Sequence, residues 1–431
     1  MESKDLSSLI GETSYLKITG TFIIVALTCS VISITALGQE EDTITDFYQY
    51  ANKDWLTNTT IPENATVVNN WGILWDRICD KSIEILSTES KYDIVDYDQY
   101  TLTQLRNFYK STAEYSDNKR KRVSLVQKHY PLLFGVIFSR ITVANYKEER
   151  IKELIKYLTI SYREKIRNSD HIGDNTKDLF ISRLDEMQFV FGAPNISNLP
   201  AIPLLSAKSL ALNILSSKEY QLKIKANKPF WESPPFETDC RYNTYHNTVK
   251  IYAGTLYAYN FSGEDDFPKI FATLGRTIAH EMTHAFDRDR KKFNKSDWKN
   301  ITHSLISQFN QYSVQEDFFI DGKKTLQENF ADLGGLEVSL LAMKLYMRDS
   351  LPHYSEEENS IALRRYFISY AQFWKEKASA EFERSSLKRI HAPQKFRAIG
   401  PIYNQDEFYE VYPIDKSSKY YIHENSRNSI W

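Results

Sequence analysis

The chain has 431 residues, a formal net charge of -2 from 54 Lys plus Arg against 56 Asp plus Glu, and 42% hydrophobic residues. That is enough for two domains or one large one with a sizeable core. It is too neutral for a polyanion binder, which excludes nucleic acid as an expected partner. Three cysteines exclude a small disulfide framework, and 14 Gly with 13 Pro exclude a collagen-like chain or a repeat-rich sandwich.

Residues 1–17 are mostly polar and end on Lys17, and residues 18–39 carry no charge. At 1.5 Å per residue such a stretch spans roughly 30 Å, about one hydrocarbon core. The expectation is a short cytoplasmic tail (1–17) and a transmembrane signal-anchor (18–39). This implies a single-pass type II protein of the cell membrane, anchored at its N-terminus, with an extracellular catalytic part. Ala36-Leu37-Gly38 is small-x-small and leaves a cleaved signal peptide, hence secretion, as the alternative. N-x-[ST] sequons begin at Asn58, Asn64, Asn195, Asn260, Asn294 and Asn300, consistent with a glycoprotein facing a secretory space. Cys79 and Cys240 would be the only cysteines beyond the anchor, and spacing alone does not decide whether they pair.

Residues 43–109 alternate polar loops with short helical patterns. Leu74, Ile78 and Ile85 mark one helix face, interrupted by Ser82. Apolar residues recurring at three and four predict helix over 128–167, including Ile151, Leu154, Ile155 and Leu158. Helix is expected to continue over 172–191 and to end at Gly192-Ala193-Pro194. Residues 199–215 are mixed. Tyr245 to Tyr259, rich in Thr, Val, Ile and Tyr, predict one or two short strands. From Phe267 helical patterning persists to about Ile390. The expected class is mainly α with a small β-sheet, divided into 43–228 and a catalytic lobe over 229–431.

The sharpest motif is His280-Glu281-Met282-Thr283-His284. Residues four apart share a helix face, so both imidazoles can reach one ion. Glu281 stands beside them, where it can poise a water whose pKa zinc lowers. Glu328 and Asp332, also four apart, offer a third ligand and an acceptor for the far nitrogen of a ligand histidine, expected to be His280. Gly334-Gly335 then permits close helix packing. His391 is a candidate oxyanion donor, and Arg397 a candidate for holding a substrate carbonyl.

Together these segments resemble the neprilysin-like (M13) family of zinc metallopeptidases. The resemblance rests on Asp46-Phe47-Tyr48-Gln49-Tyr50-Ala51-Asn52-Lys53-Asp54-Trp55-Leu56, on His280 through Asp287, and on Glu328-Asn329-Phe330-Ala331-Asp332 with Gly334-Gly335. It extends to His391, Phe396-Arg397-x-x-Gly400, Asn404, Phe408 and Trp431. It implies a thermolysin-like (gluzincin) catalytic lobe facing a helical second lobe, one Zn2+ per chain, and peptide substrates cut on the amino side of hydrophobic residues. The implied ligands are His280, His284 and Glu328, with Glu281 as general base. Asp332 would orient a histidine, His391 would stabilise the oxyanion, and Arg397 would bind the substrate backbone.

Three departures accompany the resemblance. The chain is shorter than family members, which implies a truncated second lobe. Where the family has Asn-Ala-Tyr-Tyr-Asn to hold substrate, this chain reads Asp239-Cys240-Arg241-Tyr242-Asn243; Tyr242 and Asn243 match, and Asp239 lacks the amide donor. The family's extracellular cysteines are largely absent. These departures keep an alternative in view: a zinc-binding but weakly active or inactive homologue serving as a cell-surface peptide-binding protein. Oligomeric state is not legible.

Overall fold

The structure, a computed structural model, describes residues 43–431 apart from 90, 144, 171, 226, 228–230, 260–265 and 288–294. The segments read as tail and signal-anchor lie outside the described residues, as do the sequons at Asn260 and Asn294. Among the described residues no helix is long and apolar enough to cross a membrane. The expectation of an N-terminal anchor is corrected on that finding: the transmembrane segment, the membrane as a partner and the type II placement are withdrawn.

Asp46 caps the first helix, Phe47–Asn58, by accepting the Gln49 amide at 3.2 Å. Strand β1 (Val67–Asn69) leads into helix Asn70–Ser87. Ser82, which breaks the apolar stripe in sequence, is nonetheless buried, because its hydroxyl donates to the Ile78 carbonyl at 2.7 Å within the helix. The stretch expected to be helical over 128–167 is helical, divided among three helices, Lys119–His129, Pro131–Thr142 and Asn145–Asn168. Pro131 has no amide to continue the first helix but suits the opening turn of the second.

Residues 172–191 were expected to be wholly helical. They form helix Asp174–Asp185 and then strand β2 (Gln188–Gly192). Phe189, Val190 and Phe191 favour a pleated surface, and a parallel partner far along the chain decides the outcome. That partner is β4 (Thr248–Tyr252), which also pairs antiparallel with β3 (Cys240–Asn243). The sheet order is β2-β4-β3, so β3 is an edge. Strand expectation over 245–259 therefore holds for β4 only, because Ala253–Ala258 is helical.

Beyond Phe267 the chain is mostly helical, interrupted by β5 (Ser313–Gln315) with β6 (Phe318–Phe319) and by β7 (Glu376–Ala378), which pairs with β1. The histidine motif lies on helix Arg276–Asp287, preceded without a break by a π-helical turn, Phe271–Gly275. Its neighbour is the carboxylate helix, Leu326–Ser350, which buries residues on all sides. A methyl on Gly335 would come 2.7 Å from the His280 amide nitrogen, so the two helices touch backbone to backbone there. Tyr162, from helix Asn145–Asn168, donates to the Ala279 carbonyl at 2.6 Å and braces the histidine helix from behind.

The chain falls into two units. One is Met1–Thr45 with Tyr412–Tyr421, in which Ile44 pairs with Ile414; the other, Asp46–Val411 with Ile422–Trp431, contains every residue of the candidate site.

Candidate metal centre

One helical turn on the histidine helix and one on the carboxylate helix bring His280, His284 and Glu328 together. One donor atom from each lies within 4.8 Å of the others. Glu328 Oε2 is 3.3 Å from His280 Nε2 and 3.8 Å from His284 Nε2. Both imidazoles therefore turn the same nitrogen inward, and carboxylates fix this choice from behind. His280 Nδ1 lies 2.8 Å from Asp332 Oδ1. The approach is bent, which leaves that nitrogen without an aligned hydrogen bond. His284 Nδ1 lies 2.6 Å from Asp287 Oδ2. Asp287 was visible in the sequence only as a continuation of the motif. Its place three residues after His284 on one helix was the available signal.

Asp332 is fully buried and is the hub of the second layer. It accepts from Arg397 Nε at 2.6 Å and Nη2 at 2.8 Å, a side-on fork. Burial opposes its charge, yet Arg397 and His280 hold its carboxyl well below the ordinary range. Glu328 behaves alike: burial opposes ionisation, and His280 with His391 outweighs it, keeping the carboxyl far below its usual value. Burial also disfavours the His280 imidazolium, but Asp332 and Glu328 overcome this and push its pKa up to about 9.

A proton on His280 thus compensates a cluster of buried anions, the role a divalent cation would take. The donor set, two imidazole nitrogens and one carboxylate with Glu281 close by, suits zinc with an open position. The residues fit such an ion.

Glu281 Oε1 is 4.0 Å from His280 Nε2, and Glu281 Oε2 accepts the Tyr242 backbone amide of β3 at 2.8 Å. His391 Nε2 reaches Glu328 Oε2 at 3.1 Å and is 45% exposed. Arg397 is buried, with Cζ stacked 4.2 Å from the Trp374 ring.

The substrate-strand residues differ from expectation in how they reach the site. Asp239 is engaged by Ser233 Oγ at 2.9 Å and Arg241 Nε at 2.7 Å. Asn243 donates to Glu232, which precedes the hairpin, at 3.1 Å and accepts the His246 amide at 3.1 Å, so both ends of its amide are engaged. The Tyr242 hydroxyl donates to Asn247 at 3.0 Å. It is the backbone of β3, rather than these side chains, that meets Glu281. Cys79 and Cys240 are both free and buried, so they do not pair.

Residues 240–428 match the model of Peptidase family M13. The chain has the M13, neprilysin-like, zinc metalloprotease fold. A neutral endopeptidase of Lactococcus lactis subsp. lactis (strain IL1403) is 24% identical over 347 residues, covering 75% of this chain and 53% of the relative. Neprilysin-11 of Caenorhabditis elegans is 27% identical over 329 residues, covering 67% and 38%. Among solved structures, the Mycobacterium tuberculosis zinc metalloprotease ZMP1 in complex with an inhibitor aligns with a TM-score of 0.62 at 23% identity, over 73% of this chain and 51% of that one. PepO from Lactobacillus rhamnosis HN001 gives 0.58 at 20%, over 73% and 52%. The chain spans about half the length, or less, of the curated relatives it matches. The mainly helical architecture with a small mixed sheet is that of the M13 fold.

Proposed function

We propose that this chain is a zinc metalloendopeptidase that hydrolyses oligopeptides and holds one zinc per chain through His280, His284 and Glu328. The observation that carries this reading is the convergence of those three donors within 4.8 Å, with the Glu281 carboxylate at their side. A zinc ion held there supplies Lewis acidity, polarising a peptide carbonyl and favouring water as a nucleophile near neutral pH. The protein's own groups do the rest. Glu281 Oε takes the proton of the attacking water and returns it to the departing amine. His391, exposed and beside Glu328, donates to the oxygen that develops negative charge. Asp332 and Asp287 fix the two imidazoles, and Arg397 locks Asp332 while presenting its remaining donor edge to the substrate backbone.

On this reading the free edge of β3 receives the peptide, with Asp239 contributing through its bonded pair with Arg241. The selectivity that goes with this reading is the one the resemblance implies, cleavage on the amino side of hydrophobic residues. A catalytically weak peptide-binding homologue is the second reading. It is favoured by the Asn243 side chain, whose amide is already engaged by Glu232 and by the His246 backbone.

The test is metal analysis with a peptide-library digest of the zinc-loaded chain, alongside Glu281→Gln. One zinc per chain, chelator-sensitive cleavage and loss of turnover with zinc retained in Glu281→Gln are expected. Unchanged turnover in that variant would refute the mechanism, and full zinc occupancy without any cleavage would favour the second reading.

A further inference from the structure

Helix Leu210–Ile224 turns a largely polar face inward and its leucines outward. The residues it buries are Asn213, Ser217, Tyr220 and Ile224, which recur at three and four and mark one face. Asn213 Nδ2 donates to Ser111 Oγ of helix Asp96–Ser111 at 2.9 Å and to the Ser206 carbonyl at 2.7 Å, and Asn213 Oδ1 accepts the Ser206 amide at 2.8 Å. Ser217 Oγ lies 2.8 Å from His129 Nδ1. The Tyr220 hydroxyl donates to the Pro200 carbonyl at 3.0 Å, and Gln221 Nε2 to the His129 carbonyl at 3.2 Å. These bonds fix the rotation of the helix about its axis. Turning the leucines inward would strip Asn213 and Ser217 of their partners.

Leu212, Leu215 and Leu222 are 59%, 57% and 73% exposed. At about 100° per residue, Leu215 and Leu222 lie nearly in line, seven residues apart, on the side opposite the buried face. Ala211 and Leu212 flank this line one turn earlier, and Ala211 is exposed as well. Lys218 and Glu219 stand one on each side of it, both exposed, and neither makes an ion pair among the described residues. A leucine exposed singly needs no explanation, but three on a helix whose inward side is largely polar mark a contact surface.

We infer that this face is where the chain pairs with a second copy of itself, the two helices running parallel about a two-fold axis. Charge decides both the occupant and the direction. In a parallel pair Leu215 and Leu222 each meet their own copy, the seven-residue repeat of a coiled-coil seam. Leu212 meets Ala211 of the second copy, and Lys218 comes beside Glu219 of the second copy, twice by symmetry. An antiparallel pair would set Lys218 beside Lys218 and Glu219 beside Glu219, which like charge opposes. With one cation and one anion at its centre, the stripe complements itself better than it complements a surface of single sign. Three leucines per copy place the contact at the low end of specific interfaces, below about 1,200 Å² in total, so pairing is reversible with a dissociation constant on the order of 10–100 μM. The inference is independent of the peptidase reading.

Sedimentation equilibrium of the full chain over a concentration series tests it. The parent should pass from monomer to dimer, and a chain that stays monomeric throughout overturns the inference. Leu215→Ser and Leu222→Ser should each weaken pairing at least tenfold, because each acts twice in a symmetric contact. Lys218→Glu alone and Glu219→Lys alone should do the same, since each turns two attractive pairs into two repulsive ones. Thermal melts matching the parent's check that these exposed substitutions leave the fold intact. Mixing the two charge variants one to one should restore pairing as a heterodimer, because every facing pair is then of opposite sign. Pairing that persists undiminished in the single charge variants, or that the mixture fails to restore, overturns the inference and places any association elsewhere in the chain, the uncharged stretch 18–39 included.

Discussion

Gly335 offers the strictest test of how the metal centre is built. Replacing it with Ala places a methyl 2.7 Å from the His280 amide nitrogen and 2.9 Å from its Cα. These are backbone atoms at the centre of a helix and cannot rotate aside. Restoring an ordinary contact of about 3.5–4.0 Å requires the two helices to part by roughly 1 Å. Metal–ligand distances tolerate only about 0.2 Å, and Glu328 rides on the helix that moves. Overpacking costs about 1–3 kcal/mol, and the better helix propensity of Ala returns about 1 kcal/mol of this. Gly335→Ala should therefore stay folded, with only a modest fall in denaturation midpoint. Its zinc affinity should drop by about tenfold or more, as when an outer hydrogen-bond partner of a ligand is lost. Gly334→Ala is the control, since its methyl would meet Thr283 Cγ2 and Trp431 Nε1, both at 3.1 Å, which are side-chain atoms able to shift. Competition against a chromophoric chelator, with thermal melts on the same samples, measures both terms. If Gly335→Ala binds zinc as tightly as the parent, backbone contact between these helices does not set the ligand distances.

Three further outcomes follow from the charges around the site. His280, raised to about 9 in the metal-free chain, stabilises the fold fully below its unfolded value of about 6.5, and this contribution of about 3 kcal/mol is lost as pH rises through 9. Zinc binding below pH 9 must expel that proton. Apparent affinity should thus climb by up to about tenfold per pH unit from 7 towards 9, and calorimetry in buffers of different ionisation enthalpy should show about one proton released; a pH-independent affinity would contradict this. Asp332→Asn leaves Arg397 buried without its counter-charge and should cost about 3–5 kcal/mol by denaturant unfolding. Because Asp332 is depressed, its contribution is present above its unfolded pKa of about 4 and is lost as pH falls below that. Asp287→Ala removes the carboxylate on His284 Nδ1 and should lower zinc affinity about 10–100-fold while the chain remains folded.

The metal ligands were legible because their chemistry depends on spacing within single helices. A four-residue interval places His280 beside His284, and Glu328 beside Asp332, whatever surrounds them. The second layer was legible only where it reused that interval: Asp332 was readable as a partner for His280, whereas Asp287, three residues from His284, was passed over. Strand β2 was misread because Gln188–Gly192 becomes a strand only by pairing with β4, sixty residues on, and local patterning cannot register a distant partner. The helical content of 128–167 was legible from apolar spacing, and Pro131 marks where one helix gives way to the next.

On the proposed reading the centre separates into a metal half and a substrate half with different support. The metal half has layered support: His280 and His284 each face a second carboxylate, Arg397 grips Asp332, and Tyr162 and Gly335 brace the histidine helix itself, all within one unit of the chain. The substrate half rests on one edge strand, whose Tyr242 amide is already spent on Glu281 and whose Asn243 is tied to Glu232. A peptide arriving along β3 must therefore compete with the Tyr242 amide for Glu281, or leave that bond in place and use the remaining edge. Either way, any loss of function in this chain relative to longer relatives should appear first in KM and selectivity, with zinc affinity intact. The opposite pattern, weak zinc binding with ordinary KM, would place the defect in the ligand helices and contradict the geometry described for them.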